Sequence, residues 1–145
     1  MLEIPLVRLD DDLPTPSYAR RGDAGCDLFA RTAAVLVPGG GRATIPTGVA
    51  IEIPRGYAGL VLSRSGLAAR HGIACLNAPG LIDPGYRGEV AVILVNTDPT
   101  TVYEVQRGDR IAQLVICRVE EAGFAVVDSL ATSERGVGGL GHSGR

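Results

Sequence analysis

The segment with the clearest capacity for chemistry runs from Gly80 to Glu89. It places the carboxylate of Asp83 at the first corner of an Asp-Pro-Gly turn, and Tyr86 and Arg87 follow directly. A carboxylate at the rim of a pocket can take a proton from water and so act as a general base. Asp-Pro-Gly is also an ordinary tight turn. On its own, therefore, this segment suits either a catalytic turn or a simple hairpin.

A second segment, Ser63-Arg64-Ser65-Gly66, follows an apolar run and opens a short stretch with helical character. The N-terminus of a helix presents unpaired N–H groups and the positive end of its dipole, which favour anions. The planar guanidinium of Arg64 suits phosphate. The plainer alternative is a helix capped by the Ser65 hydroxyl, with a surface arginine beside it. The segment is a candidate phosphate site.

Two further polar features stand out. Asp23 and Asp27 are four residues apart, and carboxylates can contact Mg2+ directly or through water. Solvated turn aspartates are the commoner interpretation of such a pair.

Gln113 interrupts the apolar series from Ile111 to Val115. An amide on such a strand needs a protein partner or a ligand.

The C-terminal stretch from Arg135 to Gly144 contains the pattern GxGxxG. A dinucleotide-binding interpretation fails because no strand precedes the pattern and no helix can follow it within four residues. Free N–H groups in a glycine chain can nevertheless wrap a phosphate, with Arg135 supplying charge. A disordered end is the alternative. His71 and His142 are too isolated to form a metal site.

Composition excludes several function classes. The chain has 145 residues, and all 14 of its basic residues are arginine, which excludes a phosphate-loop lysine and a Schiff-base lysine. The net charge of −2 argues against stable nucleic-acid binding. Three widely spaced cysteines fit neither a disulfide framework nor a zinc site. No apolar run reaches about 18 residues, and Glu3 and Pro5 interrupt the start, so we expect no membrane span and a cytoplasmic protein.

The hydrophobic pattern is mostly that of short strands separated by glycine and proline turns. Strands recurring every 8–15 residues predict an all-β sandwich or barrel. Val49–Ile53 alternates as a half-buried strand, which Pro46-Thr47-Gly48 and Pro54-Arg55-Gly56 should bracket as turns. One short helix is predicted at Ser65–His71, ending at Gly72. We expect a domain over residues 1–128 and a glycine-rich arm over 129–145.

Taken in order, these five segments resemble the five motifs of the trimeric dUTP pyrophosphatases (dUTPases). The resemblance extends from Asp23 to Gly144 and is most specific over Gly80–Glu89 and Gly108–Leu114. It implies a distorted jelly-roll β-barrel that forms a homotrimer, with sites shared between subunits. It also implies hydrolysis of dUTP to dUMP and pyrophosphate, with Mg2+ chelated by the triphosphate and water attacking the α-phosphorus. That reaction limits uracil incorporation into DNA and supplies dUMP for thymidylate synthesis.

The resemblance implies a role for each matching residue. Asp83 corresponds to the carboxylate that orients and deprotonates the water, and Gln113 to the amide that holds the water or an α-phosphate oxygen. Asp23 corresponds to an outer-shell contact to Mg2+ through water. The implied phosphate-binding residues are Arg64, Ser65, Gly66, Gln113 and Arg135. The implied nucleoside-binding residues are Asn77, Gly80, Ile82, Asp83 and Tyr86, with Tyr86 beneath the deoxyribose and no room for a 2′-OH.

The C-terminal arm departs from the family pattern at one position. Between Gly139 and Gly141 the family usually has an aromatic residue that stacks on uracil, whereas this chain has Leu140. His142 stands where a small hydroxyl residue is common. We expect the arm still to cover the site, without aromatic stacking on the base.

Two other functions remain open from the sequence. The dCTP deaminases, including bifunctional forms, share the same barrel, but they are typically longer and need a catalytic glutamate facing the base. The nearest candidate in this sequence for that catalytic glutamate is Glu89, but Glu89 matches a position of the dUTPase motif. A catalytically silent nucleotide-binding or interaction protein should have lost Asp83, Gln113 or Arg64, and all three are present.

Overall fold

The computed structural model describes residues 2–138, which contain ten β-strands and one α-helix. All strand pairs are antiparallel. The elements, in chain order, are β1 Leu6–Arg8, β2 Cys26–Phe29, β3 Ala34–Leu36, β4 Arg42–Ile51, β5 Tyr57–Ser63, α1 Ser65–His71, β6 Ile73–Cys75, β7 Gly80–Ile82, β8 Glu89–Asn96, β9 Tyr103–Val105 and β10 Arg110–Arg118. The predicted all-β class with one short helix at Ser65–His71 is confirmed.

The strands form two four-stranded sheets and a two-stranded ribbon. One sheet has the order β1-β4-β8-β6, the other β2-β10-β5-β7, and β3 pairs with β9. This double-sheet arrangement is that of a jelly roll. One continuous apolar core draws on both sheets, and its fully buried side chains include Leu28, Ile45, Leu94 and Ile111. The second sheet matters most for function, because β10, β5 and β7 carry or adjoin the candidate site residues.

The predicted turn at Pro46-Thr47-Gly48 is wrong. β4 runs through these residues without ending, and its register against β8 shifts between Pro46 and Ala50. Gly48 has a φ of 75°, in the left-handed region, and it lies at this register shift. The strand therefore accommodates the left-handed residue by a local irregularity in its pairing and does not end there. The second predicted turn is confirmed, since Arg55 and Gly56 form a turn between β4 and β5.

The last strand ends at Arg118, and residues 119–138 form no helix or strand. Apolar side chains in this stretch, including Phe124, Val126 and Leu130, are exposed. The division into residues 1–128 and 129–145 stays a prediction. Across residues 2–138 no helix has the length and apolar character needed to cross a membrane.

Candidate active site

The phosphate-binding candidates lie where β5 passes into α1. Arg64 is the N-cap of the helix, in extended conformation and with no side-chain capping bond, whereas Ser65 is the first helical residue. The expected Ser65 cap is therefore wrong, and its hydroxyl makes no hydrogen bond within the described residues. Gly72 ends the helix in the left-handed conformation, as predicted. The serine hydroxyl is thus available at the first turn.

The Arg64 guanidinium is held in place by β10 and β2. Its Nη1 donates a 2.6 Å hydrogen bond to the carbonyl of Arg110, and its Nε lies 3.8 Å from Oδ1 of Asp27. The other carboxylate oxygen of Asp27 accepts a 3.2 Å bond from Nη1 of Arg110. Asp27 is only 9% exposed and contacts two guanidinium groups. Because little water reaches the carboxylate, its attraction to both groups is screened less than it would be at the surface. Arg64 is oriented before any ligand arrives.

A third arginine lies over the same turn. A Cβ atom on Gly66 would stand 3.0 Å from Nη2 of Arg70, so the Arg70 side chain folds back over that glycine. Sequence reasoning did not identify Arg70 or Arg110. It also did not reveal that Asp27 orients the Arg64 guanidinium. The spacing of Gly66 and Arg70 could have revealed the first, since residues four apart share a helix face. The other two depend on strand pairing, which no local pattern in the sequence reveals.

Gln113 lies on β10 opposite Asp27 of β2 and Leu62 of β5. Its side chain packs against the backbone of Gly25, where a Cβ atom would come within 3.3 Å of the Gln113 Cβ. The residue is half-buried, and its amide makes no hydrogen bond within residues 2–138. A half-buried amide without a protein partner is suited to a ligand.

The nucleoside-binding candidates lie on and beside β7. Gly80 pairs with Val61 of β5, and the Asn77 amide nitrogen lies 3.2 Å from the point where a Gly80 Cβ would be. Ile82 is buried opposite Gly59. The hairpin therefore brings the Asn77 side chain against the backbone of Gly80.

The turn that follows β7 carries Asp83 and Tyr86. The backbone N–H of Tyr86 donates a 3.1 Å hydrogen bond to the carbonyl of Asp83, which confirms the predicted tight turn. The Asp83 carboxylate is exposed and has no hydrogen-bond or ion-pair partner within the described chain. The Tyr86 hydroxyl donates a 2.8 Å bond to the carbonyl of Glu89. The carboxylate is free while the ring is fixed.

An ion-pair network supports this turn from below. Nη1 of Arg31 lies 3.1 Å from Oε2 of Glu89, and Nε of Arg31 lies 3.5 Å from Oδ2 of Asp10. Asp10 in turn binds both terminal nitrogens of Arg107, at 2.5 and 2.9 Å. Hydrogen bonds from Arg107 outweigh the opposing effect of burial and lower the pKa of Asp10 to about 2. The network joins four separate segments at the start of β8.

Within one chain the two groups of candidates lie apart. Asp83 follows Ile82, which faces Gly59 at one part of β5, whereas Arg64 follows the other end of β5. Gly59 and Arg64 are five positions apart, so at about 3.3 Å per strand residue the two ends are about 17 Å apart. Gln113 lies two strands away from β7, and the same spacing along the strand with roughly 4.8 Å between strands puts it about 16 Å from Asp83.

The remaining candidates lie outside both groups. Oδ2 of Asp23 accepts a 2.8 Å bond from the backbone N–H of Arg20, in an exposed turn before β2. Arg135 is exposed, and its Nε donates a 2.9 Å bond to the carbonyl of Gly138. Leu140 lies outside the described residues. No cluster of three or more His, Cys, Asp or Glu side chains suited to a metal ion occurs within residues 2–138.

Comparison with known proteins decides the family. The dUTPase family model matches residues 11–144. The chain is also 57% identical over 143 residues to a deoxyuridine 5'-triphosphate nucleotidohydrolase of Thermobifida fusca, covering 99% of this chain and 79% of that protein. The chain belongs to the dUTPase family. The family resemblance carried by the five motifs is therefore confirmed.

Other dUTPases agree over nearly the same length. A deoxyuridine 5'-triphosphate nucleotidohydrolase of Mycolicibacterium vanbaalenii is 51% identical over 146 residues, with 97% of this chain and 94% of that protein covered. The Staphylococcus bacteriophage 80alpha dUTPase with dUPNHPP superposes with a TM-score of 0.92 at 29% identity, covering both chains completely. A mutant dUTPase from phage phi11 of S. aureus, described with a structural Mg(II) ion, has a TM-score of 0.81 at 27% identity, with 88% of this chain and 98% of that chain covered. The jelly-roll architecture is thus that of the family.

Proposed function

We propose that this chain hydrolyses dUTP to dUMP and pyrophosphate, the activity for which its dUTPase relatives are named. The observation that carries the proposal is that Asp27 links two candidate groups: its carboxylate holds the Arg64 guanidinium, and Asp27 pairs across the strands with Gln113, whose amide has no partner within residues 2–138. Arg64 is also held by the carbonyl of Arg110, so an oriented cation lies on the same part of the sheet as a free hydrogen-bonding group. Phosphoryl chemistry depends mostly on such positioning and charge neutralisation, which arginine can supply without lysine.

The catalytic step assigns one role to each polar side chain. Asp83 orients a water molecule and takes its proton, and Gln113 holds that water or an α-phosphate oxygen. The water oxygen bonds to the α-phosphorus while the bond from that phosphorus to the bridging oxygen breaks. The electron pair of the broken bond leaves with pyrophosphate. The phosphates lie against Arg64, Ser65 and Gly66.

Nucleoside recognition falls to the β7 hairpin. Asn77 and the backbone around Gly80 and Ile82 read the edge of the uracil, which is supported by the packing of Asn77 on Gly80. Tyr86 lies beneath the deoxyribose and leaves no space for a 2′-OH. The residue is 45% exposed, so part of its side chain is open to a sugar. On this basis the chain rejects UTP.

Magnesium fits this arrangement only as a companion of the substrate. Residues 2–138 of a single chain hold no cluster of three potential metal ligands, and the triphosphate offers oxygen ligands of the kind that Mg2+ prefers. When bound, the ion neutralises charge on the phosphates. We assign Asp23 the outer-shell contact through water, since only one of its carboxylate oxygens is engaged within the described chain. Both oxygens of Asp27 already face guanidinium groups.

A complete site requires more than one chain. The separation of about 17 Å along β5 between the Asp83 and Arg64 ends is too great for one α-phosphate to meet both in the same chain. A homotrimer, in which one subunit supplies Arg64 and Gln113 and another supplies Asp83, resolves the separation. Residues 129–145 act as an arm from the third subunit, with Arg135 reaching the γ-phosphate and Leu140 covering the base.

The cellular role follows from the reaction. Removing dUTP limits uracil incorporation into DNA, and the dUMP formed serves thymidylate synthesis. We assign the chain to the cytoplasm, where its nucleotide substrate is used, and expect no stable nucleic-acid binding, which the net charge of −2 supports.

The decisive experiment measures pyrophosphate release from dUTP, dCTP, dTTP and UTP, each with Mg2+ and with EDTA. We expect release from dUTP alone, strongly reduced by EDTA. Ammonia release from dCTP, measured in parallel, together with no pyrophosphate release from dUTP would favour the deaminase alternative. Nucleotide binding without turnover of any of the four would favour the silent alternative. Either outcome overturns the proposed function.

A further inference from the structure

The Tyr86 ring is fixed by the two residues that end its turn. Its hydroxyl donates to the Glu89 carbonyl, and the ring itself lies directly on Gly88. A Cβ atom on Gly88 would stand 2.5 Å from the Tyr86 hydroxyl oxygen and 2.7 Å from Cζ. Carbon atoms do not approach this closely, so any side chain at position 88 must displace the ring.

The carbonyl that holds the ring belongs to a firmly anchored residue. Glu89 begins β8, and its Oε1 accepts a 2.8 Å bond from the backbone N–H of Gly48. Its Oε2 lies 3.1 Å from Nη1 of Arg31. Nη2 of Arg31 in turn donates a 2.9 Å hydrogen bond to the carbonyl of Leu9. The position of the Tyr86 hydroxyl is therefore determined by a backbone atom tied to two other segments of the chain.

We propose that Gly88 is a specificity-determining residue. We also propose that the Arg31–Glu89 ion pair positions Tyr86, because it fixes the residue whose carbonyl accepts the Tyr86 hydrogen bond. This inference rests on the proposed function, in which the Tyr86 ring lies beneath a 2′-deoxyribose. The absence of a Cβ at position 88 lets the ring lie low against the backbone. A ring displaced by about 1 Å no longer matches the sugar, and misplacement of that size costs up to about a hundredfold in rate.

The displacement should leave the fold intact. The atoms that a Cβ on Gly88 would meet are the far end of an exposed side chain, which can rotate away. The φ of Gly88 is not in the left-handed region, so alanine adopts the same backbone. Gly85, in the same turn, has an ordinary φ as well, and a Cβ there meets nothing within 4 Å. Gly85→Ala is therefore a matched control for Gly88→Ala.

The test measures kcat/KM for dUTP and for UTP in the wild type and in both alanine variants. In Gly88→Ala we expect the ratio of the two values to fall about tenfold or more, with a higher KM for dUTP. In Gly85→Ala the ratio should stay within about twofold of wild type. A wild-type ratio in a Gly88→Ala protein with an unchanged unfolding midpoint would overturn the inference.

Three further variants make the test independent of whether Gly88→Ala folds. Arg31→Gln removes the charge that holds Glu89, and we expect it to lower the same ratio, with rescue by Arg31→Lys. Its control is Glu52→Gln, which removes an exposed ion pair to Arg87 of the same turn, 3.0 Å long. Equal ratios in Arg31→Gln and Glu52→Gln contradict the positioning role. A wild type that fails to hydrolyse dUTP contradicts the proposed function instead.

Discussion

The Asp27 carboxylate lies 3.8 Å from the Arg64 guanidinium and connects β2 to the helix turn that we assign to the phosphates. Asp27 is buried at the edge of the core, whereas Arg64 reaches the surface. The pairing turns a flexible arginine into an oriented group, which lowers the entropy lost when a phosphate binds. The strength of phosphate binding therefore depends on a residue that need not touch the substrate.

Asp27→Asn tests this relationship, because it keeps the side-chain volume and removes the charge. We expect the KM for dUTP to rise about fivefold, since a partly exposed ion pair contributes roughly 1 kcal/mol. The kcat should change less. Steady-state kinetics over a range of Mg2+ concentrations provide the measurement, with Asp23→Asn as the comparison. The Mg2+ concentration needed for half-maximal activity should rise in Asp23→Asn. If it rises only in Asp27→Asn, the outer-shell contact to Mg2+ belongs to Asp27 and not to Asp23.

Asp83→Asn tests the general base. Asp83 is exposed and has no partner within the described residues, so the fold should tolerate the amide. We expect dUTP binding to persist while kcat falls about 100- to 10,000-fold, the range of a general-base contribution. Binding by calorimetry and turnover by pyrophosphate release separate the two effects. A variant that retains more than about a third of wild-type activity removes Asp83 from this role.

Local patterns in the sequence were enough to predict the helix and the all-β class of the fold. Ser65–His71 was predicted with its observed bounds, because good helix formers are followed by a left-handed glycine at position 72. The break predicted at Pro46-Thr47-Gly48 failed, since a register shift lets β4 continue through residues that usually end a strand. Turn residues indicate a change in direction only when strand pairing does not absorb them.

Site residues were predictable only where they fell within motifs. The motifs include Asp83, Gln113 and Arg64, but their spatial separation depends on the pairing of β7, β5 and β10. The contacts of Asp27 and Arg70 likewise arise from tertiary structure. For this reason local patterns could name the chemical groups but could not place them in space, and the expectation of shared sites came from the family resemblance alone.

The Asp10–Arg107 pair predicts a pH-dependent stability. The pKa of Asp10 is lowered from 3.8 to about 2, chiefly by the Arg107 hydrogen bonds, so the pair stabilises the fold above about pH 4. That stabilisation is lost as the pH falls toward 2. We expect Asp10→Asn to lower the unfolding midpoint at pH 7, with the difference from wild type shrinking between pH 4 and 2. Asp11→Asn, at an exposed neighbour, is the control, and equal midpoints in both variants at pH 7 would contradict the prediction.

Leu140 tests whether the arm covers the base. Stacking of a base on an aromatic side chain contributes about 1–3 kcal/mol in single-strand binding proteins. Leu140 lacks this stacking. We expect Leu140→Phe to lower the KM for dUTP by at most about tenfold, and Leu140→Gly to raise it. Deletion of residues 135–145 should have a larger effect, because it also removes Arg135. If both substitutions match wild type in steady-state kinetics, the arm acts on the phosphates alone.

The most direct test of a shared site is complementation between two inactive variants. Asp83→Asn and Gln113→Ala chains are unfolded together, mixed in equal amounts, refolded and assayed for pyrophosphate release from dUTP. If different subunits supply Asp83 and Gln113, about a quarter of the sites in random mixed trimers contain both intact residues, and activity returns to about that fraction of wild type. Verified mixed trimers with no more activity than the separate variants would show that one chain supplies both residues, contradicting the account.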